Sequence, residues 1–493
     1  MTFSSVLLIG CGQMGRGLAR MLLKEQHRQG VSIDLWIYDP YQPVEDQCQH
    51  EIQQAHLGSI KILREHFSIN QTTKLQSLIS QHLLSPHDIN QALSILKSAV
   101  KEIQPRILVN AAPFFTQQIY IPLARQARSD YIDLGQQLPT IETLQQLDHA
   151  IVKAKEPIRI IQESGLAPGL ANILGNTLFE TARDESPSGK VFSVQMRVGG
   201  LPQHTTKGGQ LHYGPTFSPD GLLYEYKEPA YSLRDGSLIT TNTFTNSEYW
   251  EDPNTKPLPI GIQPFKITSS DIQRLLLDRV EAELLQQQGS TLILHQLQAR
   301  PTADGTSRMC FDPKFQTSVQ HLEYKTLRFS PHYQTWSKMD QDSTLDETLT
   351  YWKSNITNQE ISGYPDMVLL RVWAQSTFQS SPHAVELIAL HDDIPVNSPK
   401  GFTAMQHLTC WPTTLLVIAL LRYPPNIDNL QQPKLFRNKE EKTLIGRTIE
   451  QSLQRGGIIS PYELINGHQM LKQLTEMNRI PLIEIRHTLS NLS

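Results

Sequence analysis

The sequence predicts an α/β protein, a doubly wound parallel sheet followed by a separate α+β domain. Strand-like and helix-like segments alternate through the first 160 or so residues. The first strand runs straight into a glycine turn and a helix. Beyond Val191 the alternation stops and short strand-like pieces dominate, the pattern of a mostly antiparallel sheet.

Val6-Leu7-Leu8-Ile9 has the length and make-up of a buried parallel strand, and Gly10-Cys11-Gly12-Gln13-Met14-Gly15 follows at once. Arg16 to Gln26 reads as a helix, with Leu18, Ala19, Met21 and Leu22 on one side and Arg20, Lys24 and Glu25 on the other. A second strand, Ile33 to Tyr38, ends on Asp39. Strand, glycine turn, helix, strand and acid is the order of a Rossmann-type dinucleotide site. Gly10 permits the tight turn, Gly12 lets backbone approach a pyrophosphate, and Gly15 lets the helix pack closely. Gln13 and Met14 lie at the helix N-terminus, whose N–H groups attract phosphate. Asp39 would accept hydrogen bonds from the adenosine ribose diol, which favours NAD; a 2′-phosphate would meet like charge, leaving NADP as second choice. The alternative is a glycine-tight turn that binds nothing. Cys11 reads as a small packing residue.

A chain of 493 residues is too long for one ordinary core. Its net charge of −4 offers no basic field for nucleic acid and no polybasic cluster for a membrane surface. The first apolar run is a strand, so no signal peptide is expected, and Leu415–Leu421 is too short to span a bilayer. Cys11, Cys48, Cys310 and Cys410 are scattered without metal-ligand spacing, which fits a reducing, cytoplasmic setting and no metal.

Helices are expected over 43–56 and 71–104, with a strand at Ser59–Leu63 between them. The strand Arg106–Asn110 closes on Ala111-Ala112-Pro113-Phe114, a strand end where a nicotinamide ribose could rest beside Asn110, Ala111, Ala112 and Pro113. A helix at Gln117–Ala127, a strand at Tyr131–Gly135, a helix near Ile141–Ala154 and a strand at Ile158–Ile161 follow. Glu163-Ser164-Gly165-Leu166-Ala167-Pro168-Gly169 then leads into a helix from Ala171 to Thr181. Pro168 in a first helical turn would aim backbone donors at the cleft, which adds Ser164 and Gly165 to the cofactor set. Asp184–Gly189 reads as a linker. Val191–Val198 alternates as a strand does and ends on Gly199-Gly200-Leu201-Pro202. Later come an amphipathic helix at Ser270–Gln288 and polar excursions through Gly305 and over Asp340–Gln359. A hairpin of Met367–Trp373 with Ala384–Leu390 precedes a long apolar helix at Thr403–Arg422. The tail, 440–493, reads as helical, broken at Gly456-Gly457 and Ser460-Pro461.

Seven motifs now stand in register. They are the glycine turn, Val109–Phe114, Gly165–Gly169, Val198–Pro202, Thr216-Phe217-Ser218 with Glu225-Tyr226, Tyr324–Phe329 with His332, and Thr403-Ala404-Met405. The series resembles the saccharopine dehydrogenase family, nearest in pattern to its lysine 6-dehydrogenase-like and saccharopine reductase-like branches. It spans about residues 4–425, and Gly457–Ile480 weakly echoes the family's last helical segment. The resemblance implies a Rossmann domain over 1–165 completed by helix 403–425, and a catalytic α+β domain with a mixed or antiparallel sheet inserted over 166–402. It leaves 426–493 as a helical segment. It implies NAD(P)-linked chemistry at the C–N bond of an amino acid or amine, a small-molecule substrate, and a homodimer. Ala167 stands where saccharopine reductases usually carry Asp, and Pro219-Asp220 near where some carry Arg, which points away from saccharopine itself. A polyamine-forming synthase of the homospermidine or carboxynorspermidine type is an alternative, and a non-catalytic nucleotide-binding sensor or assembly protein is another.

Removing hydride from an amine carbon needs a free nitrogen lone pair, so a base must take the ammonium proton first. Lys325, His332 and Glu163 are the candidate catalytic groups. Arg328, with its planar fork, suits a carboxylate, and Tyr213, Gly200 and Thr326 complete the substrate set. On one strand Lys325 and Arg328 face opposite sides. The plainer alternatives are that both cations pair with carboxylates and that Glu163 caps a turn. Asp133 is a further acid at a strand end; Tyr213 and Glu225 could line the pocket, though as strand residues they read as packing and solvated face, and His407 reads as a satisfied core histidine.

Overall fold

The structure, a computed structural model, describes residues 4–79, 84–135, 141–153, 158–202, 217, 219–243, 248–249, 297–303, 307–342, 347, 350, 366–380, 382–390, 401–422, 457–476 and 482–487. The chain forms two compact units, Met1–Ile173 with Gln406–Gln473, and Leu174–Met405 with Leu474–Ser493.

The first unit is built on β1 (Ser4–Ile9), β2 (Ile33–Tyr38), β3 (Lys61–Ile62), β4 (Ile107–Asn110), β5 (Asp130–Asp133) and β6 (Arg159–Ile161). Their order is β6-β5-β4-β1-β2-β3, and all their pairings are parallel. That is the doubly wound sheet the alternation requires. The strands are apolar on both faces because helices cover both. Leu7, Leu108, Tyr131 and Ile160 pack with Leu96, Val100, Ile119 and Leu123 in one core, each such side chain contributing about 1.5–3 kcal/mol on burial.

Several expectations are corrected. The helix expected over 71–104 is two, Ile69–Ile79 and Pro86–Ile103, because Ser85 and Asp88 form a capping box around a proline at the first helical position. Only Lys61–Ile62 of the strand expected at Ser59–Leu63 is paired, and a 3-10 turn begins at Leu63. On α1 (Gln13–Gln29), Arg20 and Glu25 are buried like the apolar side. Arg20 Nη2 donates to Gln406 Oε1 at 3.2 Å, and its Nε lies 3.8 Å from Glu51, so partners replace the solvent that the polar face would otherwise need.

The second unit centres on β7 (Val191–Pro202), which runs through its glycines instead of ending at them. Beside it lie β8 (Ala230–Arg234), β9 (Ser237–Thr241), β10 (Glu248–Tyr249), β11 (Leu297–Arg300), β12 (Val319–Phe329), β13 (Asp366–Gln375) and β14 (His383–Leu390). The order is β10-β11-β12-β7-β13-β14, with β8 joining β12 to β9. β7 and β12 are parallel and the other pairs antiparallel, so the sheet is mixed. The hairpin of β13 and β14 forms as expected. Gly199 is required where β7 meets β12: a Cβ there would lie 2.6 Å from Leu327 Cβ. A helix Pro219–Lys227 carries Glu225, which was read as a strand residue, and a helix Ser330–Asp342 follows β12. The segment read as a linker begins inside α2 (Leu170–Glu185) and turns only at Ser186–Gly189. The amphipathic helix expected at Ser270–Gln288 lies outside the described residues.

The tail is not simply helical. Gly457–Ile459 adds a parallel strand beside β6, and Leu482–His487 an antiparallel one beside β14. Ala404–Arg422 is long and apolar enough to cross a membrane, but 89% of its apolar window is buried inside the protein.

Candidate functional site

In the glycine turn, two glycines are fixed by backbone crowding and one by open space. Gly10 has φ +89°, and a Cβ there would lie 2.5 Å from Ala112 N. A Cβ at Gly15 would lie 1.8 Å from Gly10 O. At Gly12 a Cβ would meet nothing within 4 Å. Gly12 is also the N-cap of α1, with no side-chain cap and no acid in the first turn. Uncapped N–H groups beside open space form a cradle that suits a pyrophosphate. Around it, Gln13 O accepts from Gln406 Nε2 at 2.8 Å, and Met14 O from Cys410 Sγ at 3.4 Å.

Asp39 follows β2 and is held beside the turn. Its Oδ2 accepts from Cys11 N at 2.8 Å and its Oδ1 from Tyr41 N at 2.9 Å. Burial pushes the carboxyl up, and these two N–H groups pull it back. Each oxygen keeps a second lone pair for a ribose hydroxyl. Asp39 N donates to Glu45 Oε1 at 2.9 Å. Arg64 joins Glu45 Oε2 at 2.8 Å and donates from Nη2 to Asp39 O at 2.6 Å. The Cys11 thiol is buried within hydrogen-bonding range of Cys48, whose thiol, together with burial, raises its pKa.

At the other strand ends, Asn110 turns inward. It donates to Thr116 Oγ1 at 3.2 Å and Tyr131 OH at 3.1 Å, and accepts from Ala112 N at 3.1 Å. Asn110 therefore shapes the loop, while Ala111, Ala112 and Pro113 keep partial exposure. Asp133 accepts from Gln117 Nε2 at 2.8 Å and from Glu163 N at 3.0 Å. It thereby holds Glu163, which is buried at φ +64°. Ser164 is fully buried: its Oγ donates to Asp133 O at 2.5 Å, and its carbonyl accepts from Thr413 Oγ1 at 2.8 Å. Its side chain therefore ties elements together instead of facing a ligand. Pro168 precedes α2 and is not in it. The donors expected to point outward are taken: Leu170 N by Gly165 O at 2.8 Å and Ala171 N by Leu166 O at 2.9 Å. A Cβ at Gly165 would lie 2.5 Å from Leu134 O.

In the second unit, the two faces of β12 separate the candidate cations. Arg328 meets Glu225 at 3.2 Å and donates from Nε to Tyr226 OH at 3.0 Å. Tyr226 OH lies 2.9 Å from His332 Nε2, which is satisfied when the phenol donates to a neutral imidazole. Trp336 packs edge-on against Tyr226, and all five side chains are buried. Thr326 shares this face, hydrogen-bonding Thr302 at 2.8 Å and Tyr324 at 3.2 Å. Lys325 lies on the opposite face, 3.5 Å from Glu323, which also takes Arg197 at 2.9 Å. Arg197 and Arg371 share its level across β7 and β13. Gly200 is buried in β7 opposite Val368. His332 and Arg328 thus come together, with Lys325 apart from both; Glu163 belongs to the other unit, and Tyr213 lies outside the described residues. Sequence reasoning gave Tyr226 no role. The proline at the start of Pro219–Lys227 is a helix-start signal that would have put Glu225 and Tyr226 on a helix. Among the described residues no cluster of His, Cys, Asp or Glu could hold a metal ion.

No protein-family model matches the chain. A stretch of 196 residues, 38% of the chain, is 22% identical to the mitochondrial alpha-aminoadipic semialdehyde synthase of Mus musculus, and it spans 20% of that protein's length. The apo saccharopine dehydrogenase (L-Glu forming) of Saccharomyces cerevisiae superposes over 98% of this chain and 99% of its own, with a TM-score of 0.56 at 14% identity. A homospermidine synthase from Legionella pneumophila, solved with NAD, aligns over 100% of this chain and 94% of its own, with a TM-score of 0.47 at 12% identity. The fold is thus that of the yeast saccharopine dehydrogenase.

Proposed function

We propose that the chain is an NAD-dependent oxidoreductase acting on the C–N bond of an amino acid or amine. The observation that carries this reading is the open cradle at Gly12, with an acid at the end of β2, in a saccharopine dehydrogenase fold. Gly12 and the first turn of α1 would hold the pyrophosphate, Asp39 the adenosine ribose, and Ala111–Pro113 the nicotinamide end. The bound dinucleotide would accept or donate the hydride. The chain's own residues would position the substrate and move its ammonium proton. His332, 2.9 Å from the Tyr226 hydroxyl, is the favoured proton carrier of the Arg328 face, and Lys325 the candidate of the other. Arg328 already pairs with Glu225, which argues against it as a lone carboxylate clamp.

Titration of the full chain with NADH and NADPH, followed by nicotinamide fluorescence, tests the cofactor. Asp39→Ala should weaken NADH more than NADPH. NAD reduction across a panel of amino acids and amines tests the chemistry, and gel filtration with light scattering tests the homodimer. Silence toward both dinucleotides at millimolar concentration would overturn the reading. Tight binding without turnover on any substrate would favour the sensor alternative.

A further inference from the structure

The geometry points to Glu45 and Arg64 as the residues that set the choice between NAD and NADP, with Glu45 neutralising a cation held ready beside the ribose acid. The inference rests on the reading of Asp39 as the ribose-binding acid. Three charged groups meet there. Glu45, with 1% side-chain exposure, uses one oxygen for Asp39 N and the other for Arg64 Nε. Arg64 keeps 13% exposure and is anchored by Nη2 to Asp39 O. Among the described residues its Nη1 makes no hydrogen bond, so one edge of the fork remains for a ligand.

With Asp39 and Glu45 ionised, the trio carries one net negative charge. A 2′-phosphate carries up to two more, so the trio repels it although a guanidinium stands beside the site. The same trio does not oppose a ribose diol, which brings hydrogen-bond donors and no charge. Glu45 is therefore a positioning residue in two senses. It fixes the backbone of Asp39, and it offsets the charge of the Arg64 fork.

Glu45→Gln separates the two senses. The amide oxygen can still accept from Asp39 N, but the amide NH2 faces Arg64 Nε, donor against donor, and the guanidinium is released toward the ribose. The net charge of the trio falls to zero. NADPH affinity relative to NADH should rise roughly tenfold. Arg64→Gln leaves two acids without the cation, and should shift the ratio the other way.

The test is the Kd of NADH and NADPH for the wild-type chain, E45Q, R64Q and E45Q/R64Q, read by nicotinamide fluorescence. The expected result is a ratio that moves toward NADPH in E45Q, away from it in R64Q, and loses the gain in the double variant. An unchanged ratio in E45Q, or a gain that survives in the double variant, overturns the inference. Should E45Q fail to fold, R64Q decides alone: a ratio unmoved or shifted toward NADPH overturns it. Binding of NADH by the wild type with no change in any variant sinks this inference and leaves the proposed function standing. A wild type that binds neither dinucleotide sinks both.

Discussion

The glycine turn of the first unit and strand β12 of the second hold their candidate site residues by opposite means. The turn does it with backbone: two glycines have no room for a methyl group, a third faces open space, and the helix end is left uncapped. β12 does it with side chains, whose charges are buried and paired inside the fold. An opening made from backbone tolerates no change in shape, whereas a buried charge tolerates no change in its partner.

Gly15→Ala and Gly12→Ala test the first half, and should separate completely. Gly15→Ala drives a methyl group into Gly10 O, and should cost more than about 3 kcal/mol in urea unfolding, or leave no folded protein. Gly12→Ala meets nothing, and should lose no more than about 1 kcal/mol, the cost of a poorer N-cap. It should nevertheless bind NADH much more weakly, because its methyl group enters the pyrophosphate space. Equal effects on stability would break the comparison. For the second half, Glu225→Gln strips Arg328 of its buried partner and should cost about 3 kcal/mol. Tyr226→Phe removes one hydroxyl from the chain between Arg328 and His332, and should cost about 1–2 kcal/mol by the same measurement.

The smallest effect expected is in pH dependence. Burial raises the Asp39 carboxyl, so the folded protein holds that proton to higher pH than the unfolded chain. The stability it contributes is fully present below the ordinary carboxylate range, from about pH 4 downward, and is lost as pH rises through the folded value. NADH binding runs the other way, strengthening as the carboxylate forms. Asp39→Asn should flatten both curves; thermal unfolding and NADH titration across that window would show it.

The backbone-made region was legible in the sequence because its signals are local. Gly10, Gly12, Gly15 and Asp39 fall within thirty residues of one another, and each has a single physical reason to be there. What was hidden is held across distance. Arg20 and Gln406 lie 386 residues apart, and Ser164 and Thr413 249 apart. Arg20 could not be read as buried without knowing what covers it. Lys325 and Arg328 were correctly sent to opposite faces by strand parity, but their partners Glu323 and Glu225 differ in kind. One is two residues along the same strand, which parity also predicts, and the other belongs to a helix that alternation did not reveal.

The strands Gly457–Ile459 and Leu482–His487 extend, one each, the two sheets along their β6 and β14 margins. Until the ribosome has delivered residue 459 the first margin is unfinished, and until it has delivered residue 487 so is the second; each meanwhile offers unpaired backbone to any passing strand. Premature termination between Arg422 and Gly457 should therefore harm solubility more than the small number of missing contacts suggests, and harm it in both units at once.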